Sequence, residues 1–283
     1  MIRPKTLTAA IVPFVCGSAL AYSHQGAISW LLIVCGMMAA LAIQIATNLI
    51  NDACDFSRGA DTLERLGPQR AIQSGMANVS QVYSAGIFFF IIAAIWALPL
   101  LAAGGTWVAI VLACSIASGY LYTGGPYPLA YLGLGDLFVL LFFGCVSTVA
   151  AYSLQVGGVS PFAWLLSLQI GLLCTVLIAI NNLRDIASDC AAGKKTLAVR
   201  FGKKFTRLEI AFLALTPYLA VPLWFAAGYR LAALLSLLTL PLAIYITSAI
   251  WRTEPSSSYN RLLGLAALLH LLFGVAMTLG FLI

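Results

Sequence analysis

The chain has 283 residues, of which 62% are hydrophobic and only 8% charged, with a formal net charge of +6. A water-soluble domain carries about a quarter of its residues charged, so this supply cannot cover a globule of this size and the main solvent must be lipid. A surplus of Lys and Arg in such a chain reports membrane orientation and contact with anionic lipid, which sets nucleic acid aside as a partner.

From the N-terminus, uninterrupted apolar stretches run at about 7–22, 27–50, 79–98, 106–122, 134–153, 162–181, 209–228, 231–250 and 262–282. A spanning helix needs roughly 20 apolar residues, so each stretch predicts one crossing and the short connections leave no room for a separate soluble domain. The expected fold is all-α: a polytopic membrane protein of nine transmembrane helices in a single bundle, with residues 1–283 forming one integral-membrane domain. Arg3 and Lys5 precede the first stretch as in a signal peptide, but no small-residue cleavage site follows, so the stretch reads as the first span. Pro13, Pro99, Pro217, Pro222 and Pro241 lie in or at the ends of spans and read as kinks, which a bundle tolerates because neighbouring helices satisfy the freed carbonyls.

With the N-terminus in the cytoplasm, the tail and segments 51–78, 123–133, 182–208 and 251–261 face inward and hold every Lys and Arg except Arg230. The positive-inside rule selects this orientation. The seven cysteines are scattered without a C-x-x-C pair, and His24 and His270 are isolated, so neither a disulfide framework nor a zinc site is expected.

Only nine carboxylates exist, and six of them, Asp52, Asp55, Asp61, Glu64, Asp185 and Asp189, fall in two of the inward segments. On a helix, Gln44, Asn48, Asp52 and Asp55 form one polar stripe, and Asn181, Asp185 and Asp189 form another on the sixth predicted span. Both helices run inward, four helices apart, so the chain reads as a parallel internal duplication of helices 1–4 and 5–8, followed by a ninth. Two carboxylate clusters brought together repel unless a cation lies between them. Magnesium suits oxygen ligands, keeps several waters and is held by one or two carboxylates together with substrate phosphates. The same segments carry Arg58, Arg65 and Arg70, and Arg184, Lys194, Lys195, Arg200, Lys203, Lys204 and Arg207. Acid for metal and base for phosphate describe a diphosphate site. Lys203, Lys204, Arg207 and Glu64 read instead as ordinary loop charges.

The run N-D-x-x-D-x-x-x-G-x-D-T from Asn51, G-P-Q-R-A-I-Q-S-G from Gly67, Y-T-G-G-P-Y-P-L from Tyr122 and G-K-K-T-L-A-V-R-F-G from Gly193 together resemble the UbiA-type intramembrane aromatic prenyltransferases over essentially the whole length. Within that superfamily they are similar to the branch acting on 1,4-dihydroxy-2-naphthoate. Other members usually place a further Asp four residues after the second; here that position is Gly59 and the acid comes at Asp61.

The resemblance implies transfer of a polyprenyl chain from its diphosphate to the naphthoate ring with loss of carbon dioxide, giving demethylmenaquinol for menaquinone biosynthesis. It implies Mg2+ as cofactor, with Asp52, Asp55, Asp61, Asp185 and Asp189 as ligands, and a bacterial cytoplasmic membrane with the site near its inner face. Asn48, Arg58, Arg70, Asn181 and Lys194 or Lys195 would bind the diphosphate. Tyr120, Tyr122 and Tyr127 would line the pocket for the acceptor and the allylic cation, or serve as an interfacial aromatic belt. Asp136 would orient the acceptor's hydroxyls or bind backbone and water. The isoprenoid tail needs no motif and can leave between apolar helices. The competing readings are a secondary transporter, whose ionisable groups would sit near the midplane, and the same chemistry on another acceptor such as 4-hydroxybenzoate.

Overall fold

The computed structural model describes residues 4–59, 66–68 and 70–283, and among these the chain is helical with no strand. In chain order, α1 (Pro4–Gln25), α2 (Trp30–Ser57) and α3 (Val79–Trp96) are followed by the short α4 (Leu98–Gly104) and by α5 (Thr106–Leu121). A run from Gly135 to Val156 joins α6 (Gly135–Val139), a π-helical stretch Leu140–Val146 and α7 (Ser147–Val156). Next come α8 (Pro161–Arg184), α9 (Ile186–Ala191), α10 (Leu197–Leu215), a 3₁₀ turn Thr216–Ala220 and α11 (Val221–Ala226). The chain closes with α12 (Arg230–Leu237), α13 (Leu240–Arg252) and α14 (Tyr259–Leu282).

Eight of the described helical runs are long and apolar enough to cross a membrane. The stretch expected as the fourth crossing forms α5, which at 16 residues is shorter than the roughly 20 a crossing needs. Gly105, at φ 68, breaks the chain just before α5. The run expected as the seventh crossing also departs from expectation. It begins at Leu197 rather than near 209, with a kink at Gly202 (φ 79, ψ 176). Glu209, the first residue of the stretch expected at 209–228, therefore lies inside a helix and is half-buried.

Local chemistry sets the helix starts. Ser29 accepts from the Leu32 amide ahead of α2, Asn78 and Gln81 cap each other's backbone ahead of α3, and Ser160 caps α8 with Pro161 in its first turn. Of the prolines, Pro13 lies inside α1, while Pro99, Pro217, Pro222 and Pro241 open new helical segments. There the missing N–H costs nothing.

The central helix is α8, whose Leu166, Ile170, Ile180 and Leu183 are fully buried in a core shared with α1, α7, α10 and α12–α14. On the other side α2–α5 pack more thinly, through small clusters around Leu49, Ile50 and Phe90. Phe88, Ile91 and Ile95 on α3 are more than half exposed, as lipid contact requires. The chain is a multi-pass integral membrane protein. Between its two halves lies an apolar cavity of about 140 Å³, lined from α1, α2, α4, α5, α7 and the π-helical stretch.

Candidate active site

The C-terminal half of α2 carries Gln44, Asn48, Asp52 and Asp55 at helical spacing, and each is at most 8% exposed. Bare carboxylates cannot stay ionised at that burial, so a cation must accompany them. Arg70 does so from the segment beyond α2. Its Nε lies 3.1 Å from Asp52 Oδ1, its Nη2 donates to Asp55 Oδ2 at 3.1 Å, and its Nη1 donates to the Asn51 carbonyl at 3.4 Å. One planar guanidinium thus serves two carboxylates through its rigid fork of donors.

The second acidic segment is not one continuous stripe. α8 ends at Arg184, Asp185 turns the chain at φ −96, ψ 12, and Asp189 belongs to the separate helix α9. Arg184 grips Asp185 through both carboxylate oxygens, Nε to Oδ1 at 2.7 Å and Nη2 to Oδ2. It also donates to Asn181 Oδ1 at 2.8 Å and to Asn260 Oδ1 at 2.7 Å, and Asn260 donates to the Leu66 carbonyl at 2.9 Å. Arg184 thereby ties α8 to α14 and, through Asn260, to the segment beyond α2.

Lys194 joins the two acidic segments. Its Nζ stands 3.4 Å from both oxygens of Asp55 and 3.6 Å from Asp189 Oδ1, and its backbone N–H donates to the Asp189 carbonyl at 2.9 Å. Burial pushes the Asp189 carboxyl up to about 6; Lys194 opposes that shift, and Asp185 and Asp55 reinforce it. Among the described residues, no three His, Cys, Asp or Glu side chains converge closely enough to hold a metal by themselves. An oxygen-rich site with one or two carboxylates in reach fits a magnesium ion whose remaining ligands are water and phosphate.

Asn51, Asp55, Arg70, Thr123, Asn181, Asn182, Asp185, Asp189 and Lys194 line a single polar cavity of about 80 Å³. Tyr122 belongs to this lining and also to that of the apolar cavity, so the two spaces meet at its ring. The π-helical stretch turns Phe142 into the apolar space, where it stacks on Phe138 with ring centroids 5.9 Å apart.

Other predicted residues stand elsewhere. Tyr127 is 75% exposed, because it sits at the tip of the α5–α6 connection. Tyr120 accepts a hydrogen bond from Tyr83 at 3.3 Å and packs with Ala46, Ile50 and Phe90. Arg58 donates to the Gly125 carbonyl at 2.6 Å, and the Lys195 side chain is exposed while its amide donates to the Tyr131 carbonyl. Asp136 is buried at 6% exposure, accepts from Asn182 Nδ2 at 3.3 Å, and leaves its other oxygen without a hydrogen bond. Asp61 lies outside the described residues. Lys203 and Arg207 both pair with Glu254.

Sequence reasoning missed Tyr131, Thr123 and the bridging role of Arg184. Tyr131 and Thr123 lie in a connection without periodicity, and the reach of Arg184 runs to residues far along the chain.

The UbiA prenyltransferase family pattern matches residues 10–278. A 1,4-dihydroxy-2-naphthoate octaprenyltransferase from Haemophilus influenzae is 32% identical over 99% of this chain and 94% of its own length. UbiA prenyltransferase domain-containing protein 1 from Gallus gallus is 32% identical over 99% of this chain and 82% of its own. A UbiA homolog from Archaeoglobus fulgidus, solved bound to GPP and Mg2+, superimposes with a TM-score of 0.67 over 98% of this chain and 97% of its own at 18% identity, a likeness of fold. With that pattern spanning nearly all of it and relatives this similar along its whole length, the chain belongs to the UbiA prenyltransferase family and is an integral-membrane prenyltransferase.

Proposed function

We propose that the protein transfers a polyprenyl chain from polyprenyl diphosphate to 1,4-dihydroxy-2-naphthoate with loss of carbon dioxide, yielding demethylmenaquinol. One observation carries the reading: a polar cavity lined by both acidic segments meets an apolar cavity at Tyr122. That juxtaposition suits a substrate with a charged head and a long hydrocarbon tail. The name of the Haemophilus influenzae relative supports this acceptor, and the magnesium and GPP in the Archaeoglobus fulgidus structure support the cofactor and the donor class.

In this reading magnesium ions would be held by one or two carboxylates each, drawn from Asp52, Asp55, Asp185 and Asp189, with Asp61 as a further ligand. When bound, magnesium neutralises the diphosphate oxygens and makes diphosphate a better leaving group. Arg70 and Lys194 donate to the same oxygens, where negative charge grows as the allylic C–O bond breaks. Asn48 and Asn181 set the carboxylates and polar donors around the head, and Tyr122 faces the allylic carbon with its ring. The apolar cavity takes the tail and keeps water from the cation until the electron-rich naphthoate ring forms the new C–C bond. Asp136 orients the acceptor from the start of α6.

Nine crossings, with α4 and α5 completing the fourth, would place the N-terminus and both acidic segments in the cytoplasm of a bacterium. The whole chain would then be one domain built from a parallel duplication. The test incubates purified protein with magnesium, a polyprenyl diphosphate and either 1,4-dihydroxy-2-naphthoate or 4-hydroxybenzoate. Pyrophosphate and carbon dioxide release with the naphthoate is the expected result, abolished by excess chelator and lowered about 100-fold or more in Asp55→Asn or Asp189→Asn. Turnover with the benzoate alone would reassign the acceptor, and full activity in chelator would refute the metal's role.

A further inference from the structure

Tyr131 lies in the connection between α5 and α6, half-buried, and takes no part in the reading above. Its hydroxyl donates to Asp55 Oδ1 at 3.1 Å. Its ring centroid stands 4.9 Å from the Arg58 guanidinium carbon and 5.1 Å from Lys194 Nζ. Its carbonyl accepts from the Lys195 amide at 3.0 Å, and the neighbouring Leu132 carbonyl accepts from Arg200 at 2.8 Å. One residue therefore touches the first acidic segment through its hydroxyl, a cation from each segment through its ring, and the chain after the second segment through its backbone.

We propose that Tyr131 is the positioning residue of the diphosphate site, fixing Asp55 and Lys194 at the geometry in which both acidic segments address one diphosphate. The proposal rests on the prenyl diphosphate reading given above. The Asp55 carboxylate is held from three directions: Arg70 takes Oδ2, Tyr131 takes Oδ1, and Lys194 lies 3.4 Å from each. Without the phenol, Oδ1 loses its hydroxyl donor and the carboxylate is free to turn toward Arg70 and Lys194. Lys194 ends a flexible four-carbon stem, and attraction to the aromatic face restricts where its ammonium settles.

The variants Tyr131→Phe, Tyr131→Leu, Lys194→Met and the double variant Tyr131→Leu/Lys194→Met separate positioning from simple loop packing. The full-length protein in detergent is assayed for kcat and KM of the prenyl diphosphate, for calorimetric binding of inorganic pyrophosphate with magnesium, and for Tm. The expected outcome is a KM raised threefold or more in Tyr131→Phe with kcat within twofold of the parent, and tenfold or more in Tyr131→Leu. In the Lys194→Met background the leucine substitution should raise the pyrophosphate Kd by a clearly smaller factor than in the parent, because one of the two groups it positions is already gone. A KM and Kd within twofold of the parent in Tyr131→Leu, or equal effects of that substitution in both backgrounds, overturns the proposal. Should Tyr131→Leu fail to fold, an unchanged KM in Tyr131→Phe overturns it equally. An unmodified protein that neither binds pyrophosphate nor turns over would sink the site reading itself, whereas an active parent with unaffected variants sinks this inference alone.

Discussion

Arg70 shows how strongly one side chain can constrain a site buried in a membrane. It is 8% exposed and its guanidinium lies 3.1 Å from both Asp52 and Asp55, so removing it takes a charge partner from two buried carboxylates at once and leaves Asp55 with Lys194 and Tyr131. Breaking a buried pair by deleting one partner typically costs about 3–5 kcal/mol, because the remaining charge has nowhere to go. Arg70→Met should therefore lower the Tm in detergent as well as abolish turnover, and Arg70→Lys should recover part of the stability but little activity. A thermal melt of the two variants beside the parent checks this; an unchanged Tm in Arg70→Met would mean the acids are neutral. The acids themselves were legible from spacing alone. Their cations were only partly so: Arg70 and Lys194 stood among ten basic residues in the same segments, and nothing local distinguished Lys194, which enters the cavity, from Lys195, which is exposed.

At the level of helices, close backbone approach decides the packing around α8. A Cβ built on Gly144 would lie 2.5 Å from the Gly171 Cα, so the run Gly135–Val156 meets α8 with no side chain between them. Gly144→Val should destabilise the fold by roughly 1–3 kcal/mol or prevent its recovery from membranes, the range for overpacking a tight contact. Gly158→Ala, with open space around its Cα, should be neutral in the same melt. The apolar cavity offers a second test at this scale. Ala40 lines it, and Ala40→Phe should fill part of the space and shift preference toward shorter prenyl diphosphates, read as the ratio of kcat/KM for octaprenyl and geranyl donors. An unchanged ratio would place the tail elsewhere. The break of the second acidic segment into α8 and α9 escaped the sequence, because Asn181, Asp185 and Asp189 keep their four-residue spacing whether or not the helix is interrupted at Asp185.

Across the whole molecule, orientation follows from charge and is open to chemical test. Cys190 is exposed beside the second acidic segment. A membrane-impermeant maleimide should label it in inverted vesicles and not in right-side-out ones, if that segment faces the cytoplasm; the opposite pattern would reverse the topology. The sequence alone determined that lipid is the solvent, that the chain is helical, and that its scarce acids gather at two helix ends. Those features are local: hydropathy is a property of a stretch of residues, and helical spacing makes one face readable from residues three and four apart. The tertiary structure alone decided which cation meets which acid, that Tyr131 braces the pair, and that polar and apolar spaces join at Tyr122. Lys194 reaches Asp55 across 139 residues of chain, and Tyr131 reaches it across 76. Contacts at that separation carry no periodicity, because they exist only once the helices have packed and brought the connections between them together.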